Sequence, residues 1–240
     1  MTDLRCIPFW GMFPFVIPQA MKLRRNAPRL SGADGPSTGK VGAGKTLRML
    51  AIGDSIIAGV GARTVEDALP GQVAHALADV LHREVKWTAS GIVGARSSTV
   101  LKRLIPNLAP EPFDLVVISV GVNDVTSLRT LGQWSKDLNG LMDELHYHSS
   151  NAMIAFSGLP PMARFPLLPQ PLRTVMGIRS RMFDDAAKSV IHNRERVFHV
   201  PIGFDPAPGQ FSPDGYHPSP ESYRELGRQI ALAARPYFSD

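Results

Sequence analysis

Three residues from two distant segments of the chain could together perform acyl transfer. Ser55 closes Gly53-Asp54-Ser55 directly after an apolar run, and His217 follows Asp214 within Asp214-Gly215-Tyr216-His217-Pro218. A serine hydroxyl is a weak nucleophile until an adjacent base takes its proton, and His217 is the candidate base. The imidazole must be held in one tautomer and its cation stabilised, which Asp214 can do from the same loop. The developing oxyanion needs preorganised donors, and the N–H groups of Ser55 and Gly91 with the side-chain amide of Asn123 could supply them. Asp54 and Asp124 read as structural carboxylates that bind local groups.

A second motif competes for the same region. Gly39 to Thr46 fits G-x-x-x-x-G-K-[ST], the phosphate-cradling loop of nucleotide hydrolases. Such a loop works when a strand delivers it and a helix follows, so that backbone amides and the helix N-terminus meet phosphate. Here a loop precedes it and an apolar strand follows, which is the reverse context. The match reads as part of a Gly-, Pro- and Ser-rich linker over residues 26–46.

The elements that must position the three residues alternate along the chain. Short apolar runs at 47–53, 85–91, 113–121, 151–158 and 196–203 read as strands, and 68–84, 98–108, 131–149, 171–195 and 219–235 carry helical periodicity. Strands separated by single helices pair in parallel through right-handed crossovers. The expected fold is therefore a three-layer α/β/α sandwich around a five-stranded parallel sheet. Ligands in such sheets bind at the carboxyl ends of the strands. Gly53-Asp54-Ser55, the glycines at 91 and 94, Gly121-Val122-Asn123-Asp124 and Asp214 to Pro218 all fall there. The other histidines (75, 82, 146, 148, 192 and 199) fall within or beside helices or inside a strand, which leaves His217 as the base.

Composition narrows the function further. The chain has 240 residues, 44% hydrophobic and 20% charged, with a net charge of +5. That suits one α/β domain. Residues 1–48 hold eight Lys and Arg against two Asp, leaving 18 basic and 19 acidic residues in the remainder. The folded body is thus close to neutral, which argues against a nucleic-acid groove. One cysteine, Cys6, excludes an intrachain disulfide and a thiolate metal cluster. Residues 1–46 read as an apolar and basic leader with its linker, and 47–240 as the catalytic domain. The leader is uncharged from Cys6 to Met21 and broken by Pro8, Pro14 and Pro18, so it is too short and interrupted for a membrane span. Two readings of it stay open: an arm packed on the domain, or peripheral membrane contact through residues 6–25, with Lys22, Arg24 and Arg25 on headgroups. A cytoplasmic or membrane-peripheral location is favoured over secretion.

The four blocks, in this order and over residues 47–235, resemble those of the SGNH hydrolases, the GDSL-type esterases and lipases. The resemblance implies a flavodoxin-like sheet, a Ser-His-Asp mechanism without metal or organic cofactor, and hydrolysis of esters or thioesters through an acyl-enzyme. Block II has Thr88-Ala89-Ser90-Gly91 where the family often carries Asn, and block I reads IGDSI for FGDSL. The expected partner is a small-molecule ester of short to medium acyl chain. A carbohydrate O-deacetylase, lysophospholipase or thioesterase would use the same triad. The Pro-rich segment 158–182, with Met162, Phe165, Leu167 and Leu168, is expected to form the acyl-binding wall. Arg164 and Arg173 are candidates to meet an anionic group.

Overall fold

The computed structural model describes residues 16, 18–21, 31–127, 129–202 and 209–239. Its six strands are β1 (Thr38–Val41), β2 (Thr46–Gly53), β3 (Glu84–Gly91), β4 (Leu115–Ser119), β5 (Met153–Ser157) and β6 (Val197–Val200). The main helices are α1 (Leu69–Leu81), α2 (Val122–Thr126), α3 (Leu131–His148), α4 (Leu172–His192) and α5 (Pro220–Ala234). The sheet runs in the order β1-β3-β2-β4-β5-β6. All neighbours are parallel except β1 with β3.

Alternation along the strands builds two cores, because successive side chains point to opposite faces. Leu50, Ile52, Val116, Ile118, Ile154 and Phe156 pack with Trp134 and Leu138 of α3 and Phe183 of α4. Leu47, Met49, Leu115, Val117 and Met153 pack on the other face with Val73 and Leu77 of α1 and Tyr223 and Ile230 of α5. Each fully buried aliphatic or aromatic side chain contributes about 1.5–3 kcal/mol. Two polar ends inside these layers find partners, Trp134 Nε1 donating to Phe183 O at 2.9 Å and Tyr223 Oη to Val60 O, whereas the indole N–H of Trp87 has none among the described residues.

Three sequence expectations need correction. The sheet has six strands rather than five. The additional strand, β1, lies inside the stretch read as linker, so the folded body begins before residue 47. Strand β1 is an edge strand held by long-range packing: a Cβ on Gly39 would stand 2.6 Å from Cζ2 of Trp87, so only glycine lets the backbone lie on that indole. The Gly39–Thr46 match is thus a strand and the turn that carries the chain past β3 into β2, with Gly42 (φ 77°) and Gly44 (φ 102°) in left-handed conformations. Finally, the helix expected over 98–108 is a short α segment, Ser97–Thr99, running into a π turn, Val100–Leu104, and a 3-10 turn, Ile105–Asn107, which contains Pro106.

A partly exposed ion-pair cluster ties α4 to the sheet's far edge. Asp184 accepts from His199 Nε2 at 2.8 Å and from Leu159 N–H at 2.9 Å, and pairs with Lys188 Nζ at 2.7 Å. Burial pushes the Asp184 carboxyl up, but the hydrogen bonds from His199, Lys188 and Leu159 outweigh it and hold it at about 2. A carboxylate whose folded pKa is depressed stabilises the fold above its unfolded pKa and loses that contribution as pH falls. The loss should run from about pH 5 to about pH 2 and amount to about 2 kcal/mol. Urea midpoints measured across that window should fall less steeply for Asp184→Asn than for the wild type. Identical slopes would show that the cluster does not stabilise the fold in this way.

Candidate active site

The chain leaves β2 toward β3 on one side, and β4 returns on the other. That reversal opens a crevice at the carboxyl ends of β2 and β4, where ligands bind in such sheets. Ser55 follows β2 there, and Asn123 follows β4. Gly53 lies so close to β4 that a Cβ would collide with the Ser119 carbonyl, and Asp54 N–H donates to that carbonyl at 3.0 Å. Two turn hydrogen bonds, Ala58 N–H to Asp54 O at 3.0 Å and Val60 N–H to Ser55 O at 2.9 Å, then fix the serine.

His217 reaches Ser55 from a loop folded on itself. Ser212 N–H donates to His217 O at 2.9 Å, and Gly215 turns the chain at φ 64°. Asp214 Oδ1 accepts from Ser212 Oγ at 2.8 Å, Tyr216 N–H at 2.9 Å and His217 N–H at 3.0 Å. Its Oδ2 stands 2.6 Å from His217 Nδ1. Burial pushes the Asp214 carboxyl up, yet the hydrogen bonds from His217, Tyr216 and Ser212 win and hold it at about 2. An ionised carboxylate only accepts, so Nδ1 carries the proton and Nε2 offers its lone pair. That lone pair faces Ser55 Oγ at 3.0 Å. The hydrogen-bonded order Asp214–His217–Ser55 is therefore arranged for proton removal from the serine.

The oxyanion side differs from expectation at one residue. Ala89 N–H donates outward to Ser37 O, whereas Ile92 N–H donates to Gly53 O on β2. N–H groups alternate sides along a strand, so Gly91 shares the direction of Ala89 and points away from Ser55. Gly91 is instead a close-packing residue, since a Cβ there would overlap Ala58 N. The next glycine, Gly94, is exposed in a left-handed conformation (φ 78°) with nothing within 4 Å of a Cβ position. Among the described residues the N–H groups of Ser55 and Gly94 have no acceptor. Asn123 donates to Ala95 O, beside Gly94, at 3.0 Å, and the same amide nitrogen stands 3.5 Å from Asp54 Oδ2. Gly121 (φ 135°) starts this turn against the Trp134 ring, 2.8 Å from a Cβ position. Burial pushes the Asp54 carboxyl up to about 7, against the pull of Ile56 N–H and the nearby His217.

Asp124 joins the two loops that carry Gly94 and Asn123. It is fully buried and accepts from Ser97 N–H at 2.9 Å and Ser97 Oγ at 2.7 Å. Arg129, which pairs with Asp137, stands 3.6 Å away through Nε. Removing this carboxylate would leave the buried Ser97 N–H unpaired, leave Ser97 Oγ with Asp137 alone at 3.2 Å, and loosen the Gly94 loop. A misplacement near 1 Å can cost on the order of 10²-fold in rate. Asp124→Ala is expected to lose about that factor in kcat with little change in KM, and Asp124→Asn to recover part of it. A loss confined to KM would place the residue elsewhere in the account.

The cavity beside Ser55 has a volume of about 50 Å³ and is lined by Ser119, Ser157, Leu159, Phe165, Tyr216 and Leu226 among others. Of the four residues expected at the acyl wall, only Phe165 lines it. Met162 and Leu168 are buried in the core under α4, and Leu167 is half-buried, its N–H on Gly215 O at 3.2 Å. Phe165 is held edge-on to Tyr216 with centroids 5.2 Å apart, and Tyr216 is edge-on to His217 at the same 5.2 Å. Arg173 spends its guanidinium on the Leu168 and Pro166 carbonyls of its own loop. The leader meets this segment: Val16 is buried in the core, and the Gln19 side chain bonds Gln170 O at 2.8 Å and Leu172 N–H at 3.3 Å. The rest of the leader, and with it most of the membrane reading over 6–25, lies outside the described residues. Among them no helix is long and apolar enough to cross a membrane.

The sequence model of the GDSL-like lipase/acylhydrolase family matches residues 51–225. A GDSL-like esterase of Mycobacterium tuberculosis is 27% identical over 202 residues, 81% of this chain, and the match spans 63% of that relative's length. The solved lipase/acylhydrolase from Enterococcus faecalis is 23% identical with a TM-score of 0.58, covering 80% of this chain and 96% of that one. The Clostridium thermocellum family 3 carbohydrate esterase is 15% identical with a TM-score of 0.63, covering 82% and 100%. At these identities the two solved structures share the fold with this chain.

Proposed function

Because the chain belongs to the GDSL-like lipase/acylhydrolase family, we propose that it hydrolyses carboxylic esters of short acyl chain through an acyl-enzyme on Ser55. The observation that carries this reading is the 3.0 Å approach of His217 Nε2 to Ser55 Oγ, with Asp214 at 2.6 Å behind the ring. Ser55 Oγ attacks the ester carbonyl while His217 Nε2 takes its proton. The tetrahedral oxyanion accepts from Ser55 N–H, Gly94 N–H and the Asn123 amide, each donor being worth roughly 3 kcal/mol of barrier. His217 returns the proton to the departing alkoxide, and the C–O bond breaks to leave the acyl-enzyme and an alcohol. Water, deprotonated by His217, then attacks the acyl carbonyl, and the second tetrahedral intermediate collapses to release the acid and the Ser55 hydroxyl. Asp214 stays ionised and stabilises the imidazolium in both halves.

The small cavity supports a short acyl group. A volume of about 50 Å³ holds only a few water-sized groups, since one water occupies about 10–15 Å³ on this measure. Initial rates on a chain-length series of p-nitrophenyl esters test this. Activity should be highest at acetate to butyrate and fall at longer chains. An optimum at octanoate or beyond would contradict the assignment of the cavity. The same acyl site would accept a carbohydrate acetate, a reading that the small cavity also favours, and release of acetate from an acetylated glycan would establish it.

A further inference from the structure

We infer that the cavity beside Ser55 recognises a hydrogen-bonding oxygen on the acyl group, so that short hydroxyacyl esters are preferred to plain acyl esters of equal length. The inference rests on the ester-hydrolase reading above and specifies its substrate. Strands β4 (LVVIS) and β5 (MIAFS) both end in serine. Leu115 and Val117, like Met153 and Ala155, face the core layer of α1 and α5. Alternation therefore places Ser119 and Ser157 on that same face. The last paired residues of the two strands are Ile118 and Phe156, so the serines are cross-strand neighbours at the next step. Both line the cavity, where the neighbouring walls are the apolar Leu226 of α5 and Ile202.

These serines are 6% and 4% exposed, and each hydroxyl, without a hydrogen-bond partner among the described residues, keeps a small accessible surface where the side chain lines the cavity. Two such hydroxyls, side by side in a largely apolar cavity next to a nucleophile, are free to bond a ligand, which is how ligand sites obtain specificity. The cavity's size limits the acyl group to a few heavy atoms beyond the carbonyl. A neutral hydroxyl, which can both donate and accept, fits both constraints.

The test compares p-nitrophenyl acetate, butyrate and both enantiomers of 3-hydroxybutyrate, with each rate divided by the rate of alkaline hydrolysis. The readout is the ratio of kcat/KM for 3-hydroxybutyrate to that for butyrate, which is independent of the fraction of each variant that folds. One neutral hydrogen bond should give a ratio of about ten for the better enantiomer. In Ser119→Ala and Ser157→Ala the ratio should fall toward one. A wild-type ratio at or below one would overturn the inference and leave the cavity to bound water alone. A ratio unchanged in both variants would also overturn it. Absence of turnover on every ester, acetate included, would bring down the esterase reading itself, and the subsite with it.

Discussion

Ser55→Ala is expected to lower kcat on p-nitrophenyl acetate by about 10⁴-fold or more, to a rate set only by the remaining oxyanion donors. The substitution removes one oxygen, the atom 3.0 Å from His217 Nε2. Ser55 sits in a turn fixed by backbone bonds, Asp54 N–H to Ser119 O and Val60 N–H to Ser55 O, which an alanine keeps. The fold and the backbone donor at residue 55 should therefore survive, and the thermal midpoint should move little. KM should change less than kcat, because the hydroxyl contributes to the reaction more than to ground-state binding. A variant that retained even a tenth of wild-type kcat would show that another group attacks the ester.

Asp214→Asn should cost about 10⁴-fold in kcat with the loop still formed. The asparagine oxygen can go on accepting from Ser212 Oγ and the N–H groups of Tyr216 and His217, at 2.8, 2.9 and 3.0 Å in the wild type. The amide nitrogen then takes the place of Oδ2, 2.6 Å from His217 Nδ1. Two donors cannot share that position, so Nδ1 must give up its proton and Nε2 must carry one. The ring then presents N–H to Ser55 in place of a lone pair, and the base is lost through its tautomer. Kinetic assays together with the ring nitrogen chemical shifts of His217 would check this. Retention of the Nδ1–H tautomer with full activity would contradict it.

The strands that position the site were legible because they are buried on both faces. Continuous apolar runs such as Leu115 to Ile118 mark β4 without any tertiary knowledge. Strand β1 was hidden because TGKV is a mostly exposed edge strand, and its specific contact, Gly39 on Trp87, joins residues distant in sequence. The triad was readable because nucleophile, base and carboxylate each follow a strand, whereas the oxyanion loop was not. Which side of β3 the Gly91 N–H faces depends on its register against β2 and on the Ser37 carbonyl, and neither leaves a trace in local sequence. Met162 and Leu168 misled for a similar reason: an apolar residue on a loop near the site can serve the core as readily as the ligand. Ser119 and Ser157 carry the opposite lesson. In sequence they look like strand ends, and only pairing β4 with β5 sets the two hydroxyls together.

The central claim, that Ser55 is the nucleophile, is tested most directly by covalent trapping. The protein would be treated with a p-nitrophenyl alkylphosphonate, a reagent that leaves a stable adduct on an activated serine, and followed by intact mass and peptide mapping. The expected result is one adduct per chain, on Ser55, with esterase activity lost in proportion and no adduct on Ser55→Ala. An adduct on a different residue, or full activity in protein whose Ser55 is completely modified, would contradict the account.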